Sequence, residues 1–201
     1  MAKGASINIK GLKRELDKKA GPIIRRKLNS RAKQIAQRAK RQLLSLFDSH
    51  SITREIEGGS SASNSSGTLG GVGNLFTFIG FEEGSQPVEI IRRYLEEAIE
   101  VEAVAKGGKD LEFVIRFKIP SKDQIESMSP VPWAPGRSWV RAMELGLSGL
   151  GQYLFKQSPV SRSGGGIQVK GQVRASKFSN QAYMSEILNQ VNDYIRKEFR
   201  R

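Results

Sequence analysis

Between Pro22 and Phe47, apolar residues recur at three- and four-residue steps: Ile24, Leu28, Ala32, Ile35, Ala39, Leu43 and Leu46. That spacing puts them on one side of an α-helix of about seven turns. A helix this long must lay its stripe on other elements, so it fixes the frame of the fold. Pro22 suits a first helical turn, where its missing N–H costs nothing. Gly21-Pro22 is therefore expected to separate the helix from a short amphipathic piece carrying Leu12, Leu16 and Ala20. Residues 6–9 read as a short strand or an extended arm. The small side chains of Ala32, Ala36 and Ala39 would let a second helix approach closely.

The remaining faces of this helix carry Arg25, Arg26, Lys27, Arg31, Lys33, Arg38, Lys40 and Arg41. These are eight basic residues among seventeen, with no acid between them to give i,i+4 relief. Residues 1–48 hold fourteen Lys and Arg against Glu15, Asp17 and Asp48, a net +11 of the chain's +13. The last nine residues add +2, and residues 49–192 sum to zero. The chain is a neutral body with a basic N-terminal element. A charge run usually means a solvated face. This density instead favours contact with a nucleic acid or an acidic protein surface. No aromatics interleave the charges, so the expected contact is of the phosphate type, salt-sensitive and without base readout.

The chain has no cysteine, which excludes disulfides, zinc–thiolate sites and thiol nucleophiles. No stretch approaches the length of a membrane span, and MAKGASINIK lacks a signal-peptide core. A non-secreted protein without membrane contact is expected. A hydrophobic fraction of 38% is low for a compact monomer of 201 residues, which suggests segments completed by a partner.

Residues 58–71, GGSSASNSSGTLGG, read as a long flexible loop, ordered on assembly if at all. Asn74–Phe81 reads as a strand from its aromatic and β-branched content. Pro87 opens a short helix to about Ala98, with Ile90, Ile91, Tyr94 and Leu95 as its apolar side. Residues 99–119 form a hairpin. Ile99, Val101 and Ala103 alternate with acids, and after a Lys106–Asp110 turn Leu111, Phe113, Ile115, Phe117 and Ile119 lie on one face. Ser121-Lys-Asp-Gln124 has capping-box spacing. SPVPWAPG, residues 129–136, reads as a rigid extended loop. A helix is expected over residues 137–155, a glycine-tipped hairpin over 160–175 and a final helix over 178–201. That helix carries the stripe Tyr183, Ile187, Leu188, Val191, Ile195 and Phe199. The fold class is α+β in a single domain over residues 1–201. It has an N-terminal arm (1–21), the loop 58–71 and a C-terminal hairpin–helix extension (160–201).

No catalytic constellation stands out. His50, the chain's one histidine, sits beside Asp48, Ser49 and Ser51, but sequence neighbours rarely supply triad geometry. A helix-end role is the expectation. Glu82, Glu83, Glu89, Glu96, Glu97, Glu100 and Glu102 form a loose acidic set that reads as a solvated or subunit-contact surface rather than a metal pair. The glycine runs lack the endings and the strand-to-helix setting of phosphate-binding loops. No cofactor or metal is expected.

Ile9-Lys-Gly-Leu12, then Glu15-Leu16 and a long Ala- and Arg-rich helix, resemble the start of the tail-completion proteins of tailed bacteriophages. This is the broad head–tail joining family that includes lambda minor tail protein Z. Phe78-Ile-Gly-Phe-Glu-Glu-Gly-Ser85 resembles the family's strand ending in an acid-Gly-Thr/Ser turn. Pro132-Trp-Ala-Pro-Gly-Arg-Ser-Trp-Val-Arg-Ala142 resembles its proline-rich loop before an aromatic-Arg-Ala helix start. The family's Thr-Gly-x-Leu-Arg segment is reduced here to Thr53-Arg-Glu-Ile56, and residues 160–201 extend past its compact pattern.

The resemblance implies a non-enzymatic virion protein, built in the host cytoplasm into a neck ring of roughly six or twelve copies. Its partners would be portal or connector and tail-terminator proteins, with non-specific contact to DNA in the channel. On that reading the eight basic residues meet a polyanion or an acidic partner. Phe76, Phe78, Phe81, Trp133 and Trp139 are core or inter-subunit anchors, with core favoured for the three phenylalanines. The rival reading is a monomeric basic nucleic-acid-binding protein.

Overall fold

The structure, a computed structural model, describes residues 9–70, 73–106, 113–145 and 180–200. It is helix-rich α+β. A 41-residue helix, α1 (Ile9–Ser49), is followed by α2 (Ser51–Glu57), a 3-10 turn (Gly59–Ser61), α3 (Leu75–Ile79) and α4 (Pro87–Glu97). The antiparallel hairpin of β1 (Glu100–Lys106) and β2 (Phe113–Lys118) leads to α5 (Lys122–Ser127). A smaller hairpin, β3 (Pro130–Val131) with β4 (Ala134–Ser138), feeds α6 (Trp139–Leu145), and α7 (Met184–Arg200) ends the described chain. The strand or arm expected at 6–9 lies outside the described residues except for Ile9, which begins α1; so do most of the Lys106–Asp110 turn, most of the helix expected over 137–155 and the hairpin expected over 160–175.

The stripe on α1 becomes the centre of the core. Ala32, Ile35, Ala36, Ala39, Leu43 and Phe47 are buried, and the cluster continues into Ile52, Ile56, Ile91, Leu95 and Trp139. α7 runs antiparallel along α1, because Phe47 stacks near Tyr183 at one end and Arg31 meets Glu198 at the other. Met184, Ile187, Leu188, Val191 and Ile195 give α7 its buried face. Each such side chain contributes about 1.5–3 kcal/mol on burial.

Several expectations are corrected. Gly21-Pro22 does not break α1, which passes straight through it. Gly21 has no Cβ to clash with the proline ring, and nothing lies within 4 Å of where one would stand. Residues 74–81 are not a strand. Asn74 caps α3 by accepting a hydrogen bond from the Thr77 N–H at 2.9 Å, and Gly80, at φ +86°, ends it in the left-handed conformation. Local capping chemistry overrides the β-rich composition. Within β1 the register shifts between Val101 and Ala103, so Glu102 is a bulge and Val104, 6% exposed, joins the core face. Ile90, assigned to the buried side of α4, is 56% exposed; Val88 takes its place. Residues 130–138 form a hairpin rather than a plain loop, locked where the Ser129 and Ser138 hydroxyls meet at 2.6 Å.

Over residues 58–70 the Gly/Ser segment is threaded by hydrogen bonds. Its organising group is the Glu55 carboxylate, 1% exposed. It accepts from Asn64 Nδ2 at 2.9 Å, Ser66 N at 2.8 Å and Leu75 N at 2.8 Å. Ser66 and Thr68 hydroxyls pair at 2.8 Å, and Gln181, just before α7, donates to the Ser66 carbonyl. A buried carboxylate is tolerable because its lone pairs are satisfied.

Candidate polyanion and partner interface

α1 spans about 62 Å at the standard rise, and its two halves differ. From Ala32 onward the stripe is buried. Between Lys18 and Arg31 no residue is fully buried: Ile24 and Leu28 are half-buried and Ile23 is 54% exposed. Residues 18–31 of the helix are thus only partly covered, and Arg25, Arg26 and Lys27 are exposed.

Helical spacing sorts most of the basic residues into two rows. Lys27, Arg31, Arg38 and Arg41 follow one flank, while Arg26, Lys33 and Lys40 follow another at seven-residue steps. Arg25 continues the line of the apolar stripe but lies before the core begins. The first row borders the end of α7. Arg31 Nη2 donates to the Glu198 carbonyl at 3.0 Å, and Arg38 Nη1 lies 3.6 Å from Glu198 Oε2. Lys27, Ser30, Arg31, Gln34, Arg38 and Glu198 line an open groove of about 420 Å³ with Ile35 at its floor. Arg25, Arg26, Lys27, Lys33, Lys40 and Arg41 pair with no carboxylate among the described residues. Glu198 lies far from α1 in sequence, and no local signal links the two.

The aromatic candidates belong to this protomer's interior. Phe76 and Trp139 are buried, and Phe78, Phe81 and Trp133 pack against the core. Phe81 lies 5.5 Å from Phe76 and edge-on to Trp139 at 6.2 Å between ring centroids. Trp133 Nε1 donates to the Ile79 carbonyl at 2.9 Å, and its ring would stand 3.2 Å from any Cβ at Gly80. Trp133 therefore demands glycine at that turn.

His50 caps α2, with Nδ1 accepting from the Ile52 N–H at 3.3 Å, and its ring lies 4.7 Å from that of Tyr183. Burial, its largest influence, pushes its pKa down, against the charge of Glu186 and a hydrogen bond with the Ala182 backbone. Among the described residues no three His, Asp or Glu side chains gather as metal ligands. Glu89 turns instead to Arg92 and Arg93, at 2.8 and 3.1 Å. Arg92 also reaches Asp48 at 2.9 Å and Glu57 at 2.7 Å, tying α1, α2 and α4 together. The Glu89–Arg92 spacing hinted at one arm of this hub; the other two required the fold.

No protein-family model, curated protein or solved structure matches the chain.

Proposed function

We propose that the protein is a non-enzymatic structural subunit of a tailed-bacteriophage neck, assembling into a ring that joins head to tail. One observation carries this reading. Over residues 18–31, α1 is cationic and its apolar positions are half covered or exposed, as expected of a segment completed by a neighbouring molecule. The resemblance at Ile9–Leu16 and Pro132–Ala142 supports the same assignment; Phe78–Ser85 does not, because the family's strand is replaced here by α3. In a ring, head-to-tail contacts would supply the missing cover, and the basic rows would face channel DNA or an acidic partner.

Light scattering across protein concentration, at low and high salt, tests the proposal. A discrete mass of roughly six or twelve protomers supports it. A strict monomer at every concentration sinks it in favour of the second reading, a monomeric nucleic-acid-binding protein. That alternative draws on basic α1 residues that meet no described carboxylate, among them Arg25, Arg26, Lys27, Lys33, Lys40 and Arg41. It requires tight binding to free duplex or RNA that weakens steeply with salt.

A further inference from the structure

Ile23 and Ile90 are two of the few large apolar side chains left exposed among the described residues, at 54% and 56%. Their surroundings carry opposite charge. On α1, Arg26 and Lys27 lie three and four residues beyond Ile23, on the same side of the helix. On α4, Arg93 lies three residues beyond Ile90 but is held by Glu89 at 3.1 Å; Glu97 lies one turn further on the same side, with Glu96 next to it on an adjoining face. Arg26, Lys27, Glu96 and Glu97 are all exposed, and none pairs with an opposite charge among the described residues. The acidic corner extends into Glu100 and Glu102 on the first strand of the hairpin, also exposed.

We infer that the partly covered stretch of α1 docks on the outer face of α4 of a second copy, Ile23 against Ile90, with Arg26 and Lys27 facing Glu96 and Glu97. The occupant is another copy because this chain carries both halves of the complement, an apolar centre with basic flanks and one with acidic flanks. Repeated head-to-tail, the contact leaves an arm free on one copy and an α4 face free on the next, and it closes into a ring or grows into a filament; exchanged reciprocally it would instead stop at a two-fold dimer, an outcome that would keep the docking and overturn the ring. Flanking charges fix register and exclude wrong pairings more than they add affinity. The inference rests on the ring reading and names the surfaces that build it.

The test uses the full chain and two charge-reversed variants, Arg26→Glu with Lys27→Glu and Glu96→Lys with Glu97→Lys. All four side chains are exposed, so thermal unfolding should match that of the unsubstituted protein. Each variant alone is expected to stay a monomer where the unsubstituted protein assembles, since its arm and its α4 face then carry the same sign. Mixing the two variants in equal amounts should restore assembly, because each arm again meets an opposite face. Assembly of both variants at full mass would overturn the docking while leaving the ring intact. So would loss of assembly in each that mixing fails to rescue. A monomer in the unsubstituted protein would overturn docking and ring together.

Discussion

The hydroxyls of Thr53 and Tyr183 lie 2.7 Å apart, 130 residues apart in the chain and both fully buried. This contact joins α2 to the start of the last helix, inside a cluster where the Tyr183 ring meets those of Phe47, His50 and Trp139. Burial pushes the Tyr183 phenol well above its usual value, so it is neutral at any physiological pH. Tyr183→Phe keeps the packing and strands the Thr53 hydroxyl. A loss of about 1–2 kcal/mol is expected by denaturant unfolding. Adding Thr53→Val to that variant should recover part of the loss, because no unpaired polar group then remains. A double variant weaker than the sum of the singles would contradict this.

Glu55 offers a sharper case. Its three accepted N–H bonds hold residues 64–75 to α2. Glu55→Ala leaves those donors without their acceptor inside the protein, and about 3 kcal/mol or more should be lost. Glu55→Gln keeps one acceptor oxygen but turns an NH₂ toward donors, so an intermediate loss is expected. Hydrogen exchange localises the effect. The amides of Ser66 and Leu75 should lose protection first in both variants, ahead of those in α7.

These contacts explain which parts of the fold could be read from the sequence. α1, α4, α7 and the β1–β2 hairpin announce themselves by period, and the Ser121 capping box by its spacing, because those signals are local and repeated. The 58–70 segment could not be read, since its hydrogen bonds run to a carboxylate on α2 and an amide at Gln181, both outside it. Residues 74–81 misled because five apolar residues are too few to separate a helix from a strand. The decision falls to Asn74 and Gly80 at its ends. The two basic rows follow from helical spacing, but not which of them is engaged, which depends on where Glu198 comes to rest.

His50 should give the protein a pH dependence of its own. Its folded pKa lies below the ordinary 6.5 because of burial. The unfolded chain therefore binds a proton first, and stability falls as pH drops through 6.5 toward the folded value. Protonation also removes the Nδ1 acceptor that caps α2. His50→Asn retains a capping side chain without the titration. Its unfolding free energy should be flat between about pH 7 and 5, where that of the unsubstituted protein declines. Parallel curves would refute the assignment.

Glu144 gives a second, more acidic window. Burial raises its pKa, but the Lys122 ammonium and the Ser185 N–H, which donates at 2.7 Å, outweigh that and hold it below the ordinary 4.5. The raised Lys122 agrees, with the same carboxylate as its main cause. The resulting stability is complete above 4.5 and lost as pH falls through the folded value. Lys122→Met should cost about 1 kcal/mol at neutral pH, reduced by the lysine's partial exposure. It should also shallow the acid limb below about pH 4.5, read by urea unfolding at a series of pH values.

The two basic rows on α1 are expected to differ in the charge they can offer a polyanion. Arg31 and Arg38 already engage Glu198, whereas Arg26, Lys33 and Lys40 face no described carboxylate. Counterion release scales with the phosphates actually neutralised, by roughly 0.9 in the log–log salt slope for each. Replacing Arg26, Lys33 and Lys40 with Gln should therefore lower the slope for duplex DNA by up to about 3. Replacing Arg31 and Arg38 should lower it by clearly less than about 2, since Arg31 is held by the Glu198 backbone carbonyl and Arg38 by its carboxylate, and each must first give up that partner. Glu198→Gln removes the carboxylate from Arg38, leaves the Arg31 bond to the backbone carbonyl in place, and should steepen the slope by up to about 0.9. Fluorescence anisotropy of a labelled duplex between about 50 and 200 mM salt reads all three. A Glu198→Gln slope equal to that of the unsubstituted protein would show that the carboxylate does not restrain Arg38.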